Sequence, residues 1–264
     1  MLKLHILASG SRGNATIVEN DQTGHGVLVD CGICKRDFLA RCDEAHFDPA
    51  NIDAVLITHD HGDHTKGLGV VMRGLAKMGR QPLVYAADET VRASKAVQDA
   101  TSSCETRSFR PEECLTAAGI SIFPFATSHD AAASFGFRFE ANGDAAGFMT
   151  DTGIVTPQAH AHLADVRLLA LESNHDPKML SEGPYPYVVK QRIASDKGHL
   201  SNEQAAEELA SLLSNRLQAV ATMHVSENNN EYDLALRAFR AVMEREGCAA
   251  RVTCGYQGRL STLA

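Results

Sequence analysis

The chain has 264 residues, 44% of them hydrophobic, and a formal net charge of −8, which fits a globular protein of one large domain or two small ones. No stretch is long enough to span a membrane, and the opening MLKLHILASGS lacks a signal-peptide pattern, so the expectation is a soluble cytoplasmic protein. The seven cysteines form no framework and argue against a secreted disulfide scaffold, while the acidic balance argues against a polyanionic partner unless bound dications reverse the local field.

In chain order, LKLHIL, ATIVEN and HGVLVD alternate like half-buried strands, and the Gly/Asn/Asp-rich pieces between them read as turns, which predicts an N-terminal β-meander. SGSRGN (9–14) looks like a phosphate cradle but leads into a strand rather than a helix. A tight turn that lines a site floor with Ser11 and Asn14 is therefore expected. Cys31 and Cys34 form a C-x-x-C without a second pair at zinc spacing. Further strands are expected at 54–58, 83–86, 120–127, 134–140, 145–150, 167–172 and 218–223, with helices around 65–79, 88–99, 156–164, 201–214 and 231–246. Ser201 and Gln204 have the form of a capping box. Interleaved strands and helices predict the α/β class, with ligands at strand ends.

Five strands run into polar tips: AVLIT into His59, IFPFAT into His129, AAGFMT into Asp151, LLALE into Asn174 and His175, and AVATM into His224. Such repetition points to a site assembled from loops on a rigid scaffold. In THDHGDHTKG (58–67), His59 and His61 are two apart and share a face of an extended segment, while Asp63 and His64 turn toward a second position. This nitrogen and carboxylate mixture suits Zn²⁺, Mn²⁺ or Fe better than Mg²⁺ or Ca²⁺. His160 and His162 repeat the spacing, but Thr156 and Pro157 start a helix there, so the two face apart and are expected at the surface. His5, His25 and His46 show no partner nearby. His199 precedes the helix capped by Ser201, after Lys190, Arg192 and Lys197; a phosphate-facing role and a plain charged loop both fit it.

Taken together, these residues resemble the metallo-β-lactamase superfamily, whose H-x-H-x-D-H signature matches His59, His61, Asp63 and His64, followed by His129, Asp151 and His224. The resemblance covers nearly the whole chain and implies one domain (1–264) with a four-layer αββα sandwich and two divalent metal ions. It implies His59, His61 and His129 on one ion, Asp63, His64 and His224 on the other, and Asp151 between them, with Asp30 orienting ligands from behind. SGSRGN, TDTG, LESNHD, GHLSN and HVSENNN are similar to the YycJ/WalJ-like branch, described as 5′–3′ exonucleases on double-stranded DNA.

The expected activity is metal-dependent phosphodiester hydrolysis of nucleic acid, DNA before RNA, with Asp63 among the catalytic groups. His199 or His175 would act as general acid, and Ser11, Asn14, Asn174, Lys190, Arg192 and Lys197 would contact substrate. A rival reading is hydrolysis of a small ester, thioester or cyclic phosphate, and a more distant one is a metal-bearing nucleic-acid binder without turnover. Oligomeric state is open, a homodimer included.

Overall fold

The computed structural model describes residues 1–264. Its short apolar runs form two seven-stranded sheets. One contains β1 (Leu2–Ala8), β2 (Ala15–Asn20), β3 (His25–Val29), β4 (Ile52–Leu56), β5 (Leu83–Tyr85), β6 (Thr106–Arg107) and the last strand, β14 (Ser261–Leu263), which pairs with β1. The other contains β7 (Leu115–Ala117), β8 (Ile120–Ala126), β9 (Phe135–Ala141), β10 (Asp144–Met149), β11 (Leu168–Glu172), β12 (Ala219–Met223) and β13 (Arg251–Cys254). In each sheet the early strands are antiparallel, as the meander predicts for β1–β3, and the later ones parallel. Parallel neighbours need crossovers, and helices supply them.

Helices α1 (Lys35–Glu44), α2 (Gly62–Thr65), α3 (Leu68–Lys77), α4 (Asp88–Ala93) and α5 (Lys95–Thr101) belong to the first half, with α1, α3 and α5 packing on its sheet through Phe38, Cys42, Val71, Leu75 and Val97. In the second half, α6 (Pro157–Leu163), α9 (Asn202–Leu212) and α10 (Tyr232–Arg245) cover the other sheet through Leu163, Leu209 and Phe239. Helices α7 (Pro177–Glu182) and α8 (Tyr187–Ile193) lie between β11 and α9 in sequence. The largest apolar layer lies between the sheets, where Leu4, Val29, Leu56, Phe137, Phe139 and Ala170 are buried; each of the Leu, Val and Phe side chains contributes about 1.5–3 kcal/mol. Helix, sheet, sheet, helix is the expected αββα order. No helix is long and apolar enough to cross a membrane.

Two expected helices are each broken in two. The 65–79 segment is interrupted at Gly67, where an added Cβ would stand 1.9 Å from the Ile33 carbonyl oxygen. The Gly67 N–H donates to the Cys31 carbonyl (2.9 Å), so the chain is pinned there against the β3–α1 connection. The 88–99 segment restarts at Ser94, whose backbone is extended and whose hydroxyl accepts from the Val97 N–H. The capping box at Ser201 and Gln204 forms with both of its hydrogen bonds.

Helices α1, α7 and α8 and strands β6, β7, β13 and β14 are additional to the sequence expectation. They are short or strongly polar, and only Phe38 with Cys42 marks an apolar stripe on α1. Two of the histidines expected to lack partners have them. His5 is buried with Nε2 2.6 Å from Glu19, and His25 Nδ1 lies 2.8 Å from Asp53. These are cross-strand or cross-loop pairs that sequence separation hides.

At one end of β10 and β11 the sheets are tied by a buried ion pair. Arg167 donates to both carboxylate oxygens of Asp144 (2.9 and 2.8 Å) and to the Leu2 carbonyl (2.6 Å), and the Leu2 N–H donates back to Asp144 (2.7 Å). Burial works to raise the Asp144 pKa, but Arg167 and the Leu2 N–H hold it below the ordinary carboxylate range.

Candidate metal centre

The opposite ends of the same strands gather at one edge. β3 leads into Asp30, β4 into Thr58 and His59, β8 into His129, β10 into Asp151 and β12 into His224, while β11 ends in Glu172. His61 has extended backbone before α2, and the turn of α2 carries Asp63 and His64 to the other side. Asp30, Asp151 and His224 all have left-handed backbone (φ 59°, 57° and 51°). That conformation is uncommon for a residue with a Cβ and clusters at functional sites.

Donor atoms of His59, His61 and His129 lie within 4.8 Å of one another, as do those of Asp63, His64 and His224 and those of His59, His64 and Asp151. His61 Nδ1 is 3.3 Å from His129 Nε2, and Asp63 Oδ2 is 3.5 Å from His64 Nε2 and 3.8 Å from His224 Nε2. Asp151 reaches both groups, with Oδ1 3.7 Å from His129 Nε2 and Oδ2 3.4 Å from His64 Nε2. A tetrahedral ion with ligand bonds of about 2.05 Å separates its donors by about 3.35 Å, so these spacings fit a divalent metal. His59 Nε2 is buried without a hydrogen-bond partner, an atom that a metal bond would satisfy.

The ring orientations are fixed from behind. The Asp30 carboxylate accepts from the Thr58 N–H (2.9 Å) and hydroxyl (2.8 Å) and from His64 Nδ1–H (2.7 Å), which leaves His64 Nε2 for the site. His129 Nδ1–H donates to the Gly198 carbonyl (3.1 Å), again freeing Nε2. This is the arrangement in which a second partner sets the tautomer of a metal-binding imidazole. Burial opposes protonation of His64, but Asp151 and Asp30 raise its pKa well above the usual value, the mark of a strongly negative field.

The structure distributes the other expected residues unevenly. Ser11 lines the cleft, a cavity of about 250 Å³ whose wall includes Asp151, Tyr185, Arg192 and His199. Asn14 is buried, with its amide nitrogen 3.0 Å from His64 Nε2 and 3.3 Å from Asp63, so it touches the donor groups instead of facing substrate. Arg192 stands at the rim, paired with Asp130. His199 Nδ1–H donates to Glu172 (2.9 Å) and lies 3.9 Å from Asp151. Burial would lower the His199 pKa, yet the Glu172 and Asp151 carboxylates raise it to about 9.

Four expected residues stand outside the cleft wall: Asn174, His175, Lys190 and Lys197. Asn174 is buried and its amide donates to the His224 carbonyl (2.8 Å), so it braces the His224 loop instead of lining the cleft. His175 faces a separate pocket shared with Lys190, whose ammonium is held by the Ser181 carbonyl (2.7 Å). Burial pushes His175 down to about 4, leaving it neutral and a poor proton donor. Lys197 is exposed and outside the cleft wall. On α6, the other two histidines are partnered instead of simply exposed: His160 with Glu208 (2.8 Å), and His162 with Glu112 (2.9 Å) while stacked on Phe125.

Glu172 is the principal residue the sequence reading passes over. Fully buried, it accepts from the backbone N–H groups of Asp151 (3.2 Å), Thr152 (3.0 Å) and Leu200 (3.1 Å) as well as from His199. Its signal was a carboxylate closing an otherwise apolar strand, LLALE, where an unpaired charge is costly.

Comparison with known proteins agrees with this architecture. The family model described as beta-lactamase superfamily domain matches residues 25–221. The chain is 33% identical over 246 residues to the Exodeoxyribonuclease YycJ of Bacillus anthracis, covering 93% of this chain and 90% of that protein. It is 36% identical over 236 residues to the Exodeoxyribonuclease WalJ of Streptococcus pneumoniae, covering 88% and 85%. Among solved structures, the metallo-beta-lactamase fold protein YhfI from Bacillus subtilis superposes with a TM-score of 0.73 at 18% identity, over 99% of each chain. A diphosphatase from the PhnP family superposes at 0.68, also at 18% identity, over 100% of this chain and 98% of that one. The chain therefore belongs to the beta-lactamase superfamily and has the metallo-β-lactamase fold.

Proposed function

We propose that the protein is a metal-dependent phosphodiesterase acting as a 5′–3′ exonuclease on double-stranded DNA, with two divalent ions, Zn²⁺ or Mn²⁺, and Fe as a further candidate. The observation that carries this reading is the convergence of seven donors on a chain 33% to 36% identical, over most of its length, to two proteins named exodeoxyribonuclease. His59, His61 and His129 would hold one ion and Asp63, His64 and His224 the other, with the two Asp151 oxygens directed to both. Bound ions would lower the pKa of an attacking water and offset charge on the phosphate.

The remaining tasks fall to the chain itself. Asp63, whose side chain is partly open to the cleft, accepts the proton of the attacking water. His199, oriented through Nδ1 by Glu172, presents its other nitrogen to the leaving oxygen and donates the proton there. Ser11 and Arg192 at the cleft wall receive the non-bridging phosphate oxygens, Arg192 by exchanging its Asp130 partner for the substrate.

The test is a linear duplex with 5′ phosphates incubated with Mn²⁺. Progressive shortening from the 5′ ends, stopped by chelation, is expected, and His199→Ala should lose turnover while keeping its metal. An intact duplex alongside rapid hydrolysis of bis(p-nitrophenyl) phosphate or a cyclic nucleotide would replace this reading with the small-molecule one.

A further inference from the structure

The SGSRGN turn has a cavity on each side. Ser11 lines the metal cleft, and the next residue, Arg12, lines a second cavity of about 380 Å³ together with Gly32, Arg41, Lys66 and Gln257. Consecutive Cα atoms are about 3.8 Å apart, so the ridge between the two cavities is one strand of backbone. The metal centre also builds the second cavity. Lys66 is the C-cap of α2, three residues after Asp63, a spacing that puts two side chains on one face of a helix. Its ammonium donates to the Arg12 carbonyl (2.9 Å), and the Asn14 N–H donates to the Asp63 carbonyl (2.8 Å), so the turn and the ligand loop hold each other. Gln257 secures the other flank, accepting from the Arg12 N–H (2.8 Å) and donating to the Gly13 carbonyl (2.9 Å).

The second cavity runs against the charge of the chain, which is −8 overall. Its wall carries the cations Arg12, Arg41 and Lys66 and one carboxylate, Asp37, which pairs with Arg36 (3.0 Å). The metal cleft has the reverse balance, with Asp63, Asp130 and Asp151 against Arg192, so its own side chains give a polyanion a single cationic contact. Arg41 is mostly buried and tied to the Gly258 carbonyl, but Arg12 and Lys66 are exposed. Arg12 rests on Glu227 (2.7 Å) in a solvated pair, weak enough to be exchanged for a phosphate. The bond from Lys66 to the Arg12 carbonyl uses one of three ammonium donors.

On the exonuclease reading above, we propose that Arg12 and Lys66 form a second phosphate subsite. While one phosphate of the cleaved strand lies in the metal cleft, its neighbour crosses the SGSRGN ridge and is bound by the guanidinium and the ammonium through its non-bridging oxygens. That neighbour is the 5′-terminal phosphate or the next internal one; the recognising chemistry is the same. Phosphate contacts position a strand without reading its sequence. A small diester has no second phosphate, so the subsite serves nucleic acid alone.

The experiment compares wild type, Arg12→Gln, Arg12→Lys and Lys66→Gln on a 5′-phosphorylated duplex and on bis(p-nitrophenyl) phosphate, both with Mn²⁺. Arg12→Gln and Lys66→Gln should each lower the ratio of kcat/KM for DNA to that for the diester about tenfold at low salt. Each should also flatten the slope of log kcat/KM for DNA against log salt by about 0.7–0.9, the share of one phosphate contact. Arg12→Lys keeps the charge and should keep most of the ratio. Two altered duplexes locate the phosphate: one ends in a 5′ hydroxyl, and the other carries an uncharged methylphosphonate at its second internal linkage. On the duplex that lacks the bound phosphate, wild type should fall to the level of Arg12→Gln and the variant should lose nothing more. The 5′-hydroxyl duplex behaving so identifies the terminal phosphate, and the methylphosphonate duplex the internal one. An unchanged ratio in both Gln variants, an equal loss on DNA and diester, or an Arg12→Gln penalty that persists on both altered duplexes would overturn the proposal. Wild type that hydrolyses the diester and leaves DNA intact would instead sink the exonuclease reading, and this subsite with it.

Discussion

β10 and β11 carry buried carboxylates at both ends, and the two ends are compensated differently. At one end Asp144 meets Arg167, a permanent cation that satisfies both oxygens, with the Leu2 backbone completing the set. At the other end Asp151 and Glu172, together with Asp30 and Asp63, make ion-pair contacts only with histidines. A histidine carries charge conditionally, so this cluster leaves negative charge that a cation from outside would balance. A closed ion pair serves the fold; an open one serves a ligand.

The difference can be broken from either side. Arg167→Ala strands a buried carboxylate and should cost about 3–5 kcal/mol of stability, read by denaturant unfolding, with turnover per folded molecule unchanged. Because the folded Asp144 pKa lies below its unfolded value near about 3.9, the pair's contribution is full above that pH and is lost as pH falls through the folded pKa. Wild type should therefore lose stability in acid below about pH 4, and Arg167→Ala should flatten that limb. Asp151→Asn acts at the other end: turnover should fall by more than about 100-fold, beyond the 10–100-fold typical of residues behind the ligands, with metal analysis showing reduced content.

Metal itself sharpens the contrast. At a free ion concentration of 100 times its Kd, wild type should gain about 2.7 kcal/mol of stability, a gain removed by chelation and retained in Arg167→Ala. A variant of the Asp144–Arg167 pair that lost the gain would show that the two ends are not independent. Glu172→Gln should lower turnover about 10–100-fold with most metal retained, since it touches His199 and the Asp151 backbone but sits behind the donors. The smallest effect is expected for His160→Ala, whose partly exposed pair with Glu208 should contribute less than about 1 kcal/mol and nothing to turnover.

Much of the site was legible because its residues are either dense in sequence or stand just past apolar strands. His59, His61, Asp63 and His64 fall within six positions, and His129, Asp151 and His224 each follow a strand whose direction fixes where its tip goes. The site is harder to see where one strand offers several polar residues in a row. In LESNHD, Asn174 and His175 stand just beyond the strand, whereas the strand's own last residue, Glu172, is the one directed into the cluster. Asn14 was placed near the site for the right reason, a turn at a strand end, but its contacts are with His64 and Asp63, a pairing across some fifty residues that no local pattern encodes. In the fold, α8 shows no core pattern because its apolar residues face the cleft wall and solvent, and α7 is a six-residue helix with a single buried side chain, Leu180.

The left-handed backbone at Asp30, Asp151 and His224 sets stability against function inside three residues. Each holds a conformation that glycine accepts freely and that costs other residues on the order of 1–3 kcal/mol. A chain selected for folding alone would drift toward glycine at all three, giving up the carboxylates and the imidazole as it gained robustness.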